Sequence, residues 1–106
     1  MRVFNVGAEG ETEAHGFYIQ SPDGMYAQIE TGSSSGHGIY VDGANNHFSN
    51  CKAWFADLNG WEIRSVRGVY STCVAQDNAG HGFYISSGPN SPVSYTHLTL
   101  PTIHLV

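Results

Sequence analysis

A five-residue phrase recurs four times in this chain at one fixed interval, and that interval constrains the fold more than any other feature. It reads His15-Gly16-Phe17-Tyr18-Ile19, His37-Gly38-Ile39-Tyr40-Val41, Asn59-Gly60-Trp61-Glu62-Ile63 and His81-Gly82-Phe83-Tyr84-Ile85. Gly16, Gly38, Gly60 and Gly82 follow one another every 22 residues, with no insertion or deletion between them. A unit of that size cannot bury its own apolar face and must stack on a copy of itself. Within the phrase, Phe17/Ile39/Trp61/Phe83 and Ile19/Val41/Ile63/Ile85 flank Tyr18, Tyr40, Glu62 or Tyr84. Such alternation, rich in β-branched and aromatic residues, predicts a short strand whose apolar pair faces a core and whose middle residue faces out.

The rest of each unit follows the same columns. Ser21-Pro22-Asp23-Gly24, Asp42-Gly43-Ala44-Asn45-Asn46 and Ser65-Val66-Arg67-Gly68 are turn chemistry, supplying positive φ or side-chain hydrogen bonds to the backbone. A second strand is expected at Tyr26-Ala27-Gln28-Ile29, Phe48-Ser49-Asn50-Cys51 and Tyr70-Ser71-Thr72-Cys73, with Ala27/Ser49/Ser71 and Ile29/Cys51/Cys73 pointing inward. Gln28, Asn50 and Thr72 then form a polar ladder at a turn, and the aromatic column Tyr26/Phe48/Tyr70 is packing. What remains of a unit, such as Ala75-Gln76-Asp77-Asn78-Ala79-Gly80, reads as a polar connection. Complete units run over residues 15–36, 37–58 and 59–80, and a fourth begins at His81. Extending the frame backwards puts Phe4 in the column of Tyr26, with Glu9, Glu11 and Glu13 in a loop, so the chain is expected to begin inside an array.

Two or three short strands per unit, each column keeping its character, predict an all-β parallel β-helix of about four 22-residue coils, with like residues stacked about 4.8 Å apart. A leucine-rich repeat has similar length but needs several leucines per unit, and only Leu58 precedes the final segment. Scarce charge and abundant glycine likewise disfavour long helices.

The formal net charge is -5, and the four basic residues Arg2, Lys52, Arg64 and Arg67 form no stripe, which argues against nucleic acid as a partner. No apolar run is long enough to cross a bilayer, so no membrane insertion is expected. Cys51 and Cys73 share a column at about one strand spacing. Parallel side chains in a column do not point at one another, so two buried thiols are expected rather than a disulfide.

The period is lost after residue 92. Residues 93–102, Val-Ser-Tyr-Thr-His-Leu-Thr-Leu-Pro-Thr, resemble the peptide read from one frame of a common transposase sequencing adapter. Residues 93–106 are therefore expected to be a non-native tail, and residues 1–92 a β-helical fragment of a longer protein.

The phrase Gly-Phe/Ile-Tyr-Ile/Val, followed by aromatic-Ser-Asn/Thr-Cys-x-Ala, resembles the right-handed parallel β-helix repeats of the pectin-lyase-like superfamily over residues 15–90. That superfamily includes pectate lyases, polygalacturonases and phage tail spikes. The resemblance implies a polysaccharide or glycan surface as partner and an extracellular or virion-surface location, with a homotrimer where the parent is a tail spike. No cofactor is expected. The polygalacturonase motifs are incomplete: Gly36-His37-Gly38 and Gly80-His81-Gly82 are present, without a paired Asp-Asp or an Arg-x-Lys. Asp42, Asp57 and Asp77 are too scattered for a calcium site, and the column His15/His37/Asn59/His81 is read as structural, so no metal site is expected.

The outward column Tyr18, Tyr40, Glu62, Tyr84 carries the functional expectation. Its rings offer platforms to the apolar faces of sugars, and their hydroxyls can bond sugar hydroxyls. Glu62, between Tyr40 and Tyr84, sits where partial desolvation suits a general acid, and Asp42 is the nearest candidate for the second carboxylate of a glycosidase. The alternatives are a structural β-helix stalk or adhesin whose tyrosines serve as cross-strand pairs, and a part of a polysaccharide lyase or glycoside hydrolase.

Overall fold

The structure, a computed structural model, describes residues 2–7, 14–86, 94–96 and 103–105. After β1 (Arg2–Val6), the first coil holds β2 (Phe17–Ile19), β3 (Met25–Ala27) and β4 (Glu30–Ser34). The second holds β5 (Ile39–Val41), β6 (His47–Ser49) and β7 (Lys52–Trp54), and the third β8 (Trp61–Ile63), β9 (Val69–Ser71) and β10 (Val74–Gln76). β11 (Phe83–Ile85) opens the next coil. Each strand pairs in parallel with its equivalent one coil on, as in Ile39↔Trp61, Phe48↔Tyr70 and Ala53↔Ala75. The result is three parallel sheets, ordered β1-β4-β7-β10, β2-β5-β8-β11 and β3-β6-β9. The fold is a parallel β-solenoid of about three turns. Among the described residues no helix is long and apolar enough to cross a membrane.

Three corners per coil make this shape, and each is turned by one residue in the left-handed region. Among the described residues, positive φ outside glycine occurs in three columns alone: Asp23/Asn45/Arg67, Gln28/Asn50/Thr72 and Ser33/Phe55/Asp77, all between 53° and 61°. The turn expected at Gln28, Asn50 and Thr72 is found there. It also corrects the face assigned to the second strand. A left-handed residue breaks the alternation, so the side chains on both sides of the exposed residue pair point inward. Tyr26, Phe48 and Tyr70 face the core, Ala27 and Ser49 are exposed, and Ile29, Cys51 and Cys73 turn in again after the corner.

The core is a set of columns. Phe48 stacks on Tyr26 at 5.0 Å and on Tyr70 at 5.2 Å between ring centroids, and Trp61 stacks on Phe83 at 5.8 Å. Trp61 meets the edges of Phe48 and Tyr70, and its indole N–H donates to the Val74 carbonyl at 3.1 Å, so burial leaves that donor bonded. Cys51 and Cys73 are buried free thiols in adjacent coils. The third strand of each coil, read from sequence as a polar connection, buries only small side chains: Thr31 and Ser34 from β4, Ala53 from β7 and Ala75 from β10. Their smallness matches the glycine column opposite. A Cβ on Gly38 would lie 2.6 Å from the Gly60 carbonyl oxygen and 2.7 Å from the Ala53 Cβ. Gly16, Gly38 and Gly60 thus allow close approach of coils, and they do not adopt the positive φ of a turn.

Phe4 is not in the Tyr26 column. It pairs with Gly32, 28 residues on, while Gly32 pairs with Trp54. The first connection is therefore six residues longer than the 22-residue period (28 − 22 = 6), which shifts the backward frame. Glu9, Glu11 and Glu13 lie outside the described residues. So does most of 93–106, except that β12 (Ser94–Thr96) pairs with β9 and β13 (Ile103–Leu105) with β11. Any extended segment can add to the open edge of a coil, so this pairing concerns the segment's position and leaves its origin a separate matter.

Thr72 is the β-branched member of its left-handed column, at φ 54°, where Asn50 sits at 56°. A β-branched residue there is strained by roughly 1–2 kcal/mol relative to its ordinary conformation, whereas asparagine tolerates the region. Because Thr72 is exposed, Thr72→Asn should raise stability by about 1 kcal/mol in a urea titration, and Asn50→Val should lower it similarly.

Candidate functional site

The outward row forms as expected: Tyr18↔Tyr40, Tyr40↔Glu62 and Glu62↔Tyr84 are direct neighbours across β2, β5, β8 and β11. Four rows at strand spacing span about 14 Å along the solenoid axis. Beside them runs the column His15, His37, Asn59, His81. Tyr18 and Tyr40 are 4.9 Å apart between centroids, His15 lies 5.0 Å from Tyr40, and His15 stacks on His37 at 5.2 Å. His81 and Tyr84 repeat the arrangement at 5.6 Å. Tyr18 remains half exposed, whereas Tyr40 and Tyr84 are partly buried. Burial raises the Tyr40 pKa above the usual phenol value, so its hydroxyl stays protonated and able to donate.

The histidine column is a hydrogen-bond ladder. The His37 backbone N–H donates to His15 Nδ1 at 2.9 Å, and the Asn59 N–H donates to His37 Nδ1 at 3.0 Å. The His81 N–H donates to Asn59 Oδ1 at 2.7 Å. Asparagine replaces histidine in the third coil because Oδ1 presents an acceptor where Nδ1 would. With Nδ1 accepting, a neutral His37 ring carries its proton on Nε2, which faces Glu62 Oε1 at 3.8 Å.

Glu62 is on the outward side yet only 1% exposed. Asn59 Nδ2 donates to Oε1 at 2.7 Å and Arg64 Nε donates to Oε2 at 2.6 Å, while Tyr40 and Tyr84 stand on either side. The carboxylate in turn raises the Arg64 pKa, keeping a fixed cation on a side chain that is half exposed. Sequence reasoning placed Glu62 in its row but missed Arg64 and Asn59 as partners. The signal was present for Arg64, since residues two apart in a strand share a face. Asp42, exposed just after β5, is not among the groups bonded to Glu62.

Two concavities lie away from this row. One of about 370 Å³ runs over β3, β6 and β9, lined by Met25, Ala27, His47 and Ser49 among others, and one of about 350 Å³ opens beside Phe17, Ile19 and Tyr26. Neither is lined by the row, whose side chains follow one another along the solenoid axis, a layout that suits contact with an extended ligand. Among the described residues no group of three or more His, Cys, Asp or Glu is placed to hold a metal ion.

No family model matches this chain, and no match is found among the curated proteins or the solved structures.

Burial lowers the His37 pKa below its ordinary value of 6.5, against the opposing pull of Glu62. The folded chain therefore binds this proton less readily than the unfolded chain, and stability should fall as pH drops below about 6.5 toward the lowered folded value. His37→Asn supplies an Oδ1 acceptor without a titrating ring. Urea midpoints measured between pH 7.5 and 5 should show a shallower decline for this variant than for the parent protein.

Proposed function

We propose that this chain is a polysaccharide-engaging segment of a β-solenoid protein, with the glycan lying along the outward face of β2, β5, β8 and β11. One observation carries the reading: three tyrosines, spaced by the coil repeat, line one face beside a histidine ladder and an ordered Arg64. Stacked aromatic faces bind the C–H face of sugar rings, and phenol hydroxyls, imidazoles and a guanidinium serve the surrounding hydroxyls. In this reading Glu62 organises the face, holding Asn59 and Arg64 in place between two rings. The resemblance of the repeat columns to pectin-lyase-like coils supports a phage tail-spike-like or secreted bacterial carbohydrate-active parent. Such a parent would be extracellular or on a virion, and a homotrimer in the tail-spike case.

A structural stalk is the second reading. It is favoured by the ladder itself, since His15, His37 and Asn59 direct their acceptors to the next coil's backbone. The two readings separate at Tyr40 and Tyr84. Each of Tyr40→Ala and Tyr84→Ala should weaken binding to the best ligand in a panel of bacterial and plant glycans by roughly tenfold, about 1.4 kcal/mol, measured by calorimetry. Binding unchanged in both variants removes the tyrosine face as a glycan site.

A further inference from the structure

A second aromatic surface stands on a different sheet. On the outer face of β1, β4 and β7, Phe4, Gly32 and Trp54 are neighbours in one row. Gly32 leaves a gap there, and the Trp54 indole fills it: a Cβ on Gly32 would lie 2.6 Å from two of its ring atoms. Phe4 lies 5.6 Å from Trp54 and Phe55 5.0 Å from it between ring centroids. The indole is clamped as well as packed. Its N–H donates to Glu30 Oε2 at 2.9 Å, and Arg2 Nε donates to Glu30 Oε1 at 3.0 Å. The bond from Trp54 is the main reason the Glu30 pKa lies below the usual carboxylate value.

Phe55 is the independent observation. It occupies the left-handed corner column at φ 53°, where the other coils place Ser33 and Asp77. A bulky aromatic residue is a poor choice for that conformation, and half of this one is exposed to solvent. Neither backbone preference nor core packing accounts for it. Backbone strain of this kind clusters at functional sites, which makes the exposed Phe55 ring a candidate ligand contact.

The geometry points to a second glycan site, in which the Trp54–Phe55 edge stacks against a neutral pyranose ring and Glu30, Arg2 and Gln76 bond its hydroxyls. Each Glu30 oxygen keeps a lone pair beyond the bond it already accepts, and Gln76 is exposed in the row beside Trp54. Three rings are too few for a stable protein interface, which needs about 800 Å² per partner. The net charge of -5 disfavours nucleic acid and anionic membranes. An uncharged ligand with one apolar face and a polar rim fits both limits. This site shares the ligand class of the tyrosine face but not its residues.

The chain has two tryptophans, and Trp61 is fully buried, so ligand-dependent emission reports on Trp54. Neutral hexasaccharides of β-1,4-glucan, β-1,3-glucan, β-1,4-mannan and α-1,4-glucan are titrated against the full chain. At least one should change the emission and protect Trp54 from acrylamide quenching. Phe55→Asn should weaken that response roughly tenfold while leaving the melting temperature equal or higher, since it relieves the corner. Tyr40→Ala should leave the response intact, which keeps this site distinct from the tyrosine face. The proposal is overturned if none of the four sugars alters Trp54 emission at millimolar concentration. It is equally overturned if Phe55→Asn binds as the parent does, or if the response disappears with Tyr40→Ala.

Discussion

One coil of this chain can lie on the next only if both turn their corners at the same positions, and a single left-handed residue sets each corner. Three such columns, through Asp23, Gln28 and Ser33 and their equivalents, divide the repeat into three short strands. A shift of one residue at any corner would turn every following side chain to the opposite face. The columns therefore carry the parallel pairing, the pairing carries the aromatic stacks of the core, and the glycine column lets the coils close on Thr31, Ala53 and Ala75.

The outward face is built from the residues that the core does not use. The middle position of the first strand faces outward in every coil, and repetition turns one tyrosine into a row. Glu62 interrupts that row without exposing itself, because Asn59 and Arg64 satisfy both its oxygens. The same sequence change that replaces a tyrosine by Glu62 is thus accompanied by Asn59 in place of histidine and by Arg64 on the same face. On the sheet of β1, β4 and β7 the logic is reversed. There a missing side chain at Gly32 is filled by Trp54, and a corner is left strained by Phe55.

Much of this was legible in the sequence because the repeat is strict. The phrase at Gly16, Gly38, Gly60 and Gly82 located the first strand and its inward pair, and it placed Glu62 among the tyrosines. The third strand was missed because Ala53 and Ala75 are too small to make a visible apolar pattern, and Thr31 is polar. The second strand was read with the wrong face because a left-handed residue breaks the alternation on which such a reading depends. Phe4 was misplaced because its connection to the next coil exceeds the period. The ladder through His15, His37 and Asn59 joins residues 22 apart, and which side-chain atom meets which backbone N–H follows only from how closely the coils stack.

The most direct test of in-register stacking is to remove one coil. Deleting residues 37–58, a full 22-residue repeat, joins Gly36 to Asn59 and brings every column of the third coil onto its equivalent in the first. The shortened chain should keep its β-type circular dichroism and unfold cooperatively at a lower urea concentration, while deletion of residues 37–57 should abolish cooperative unfolding. Equal behaviour of the two deletions would contradict the account.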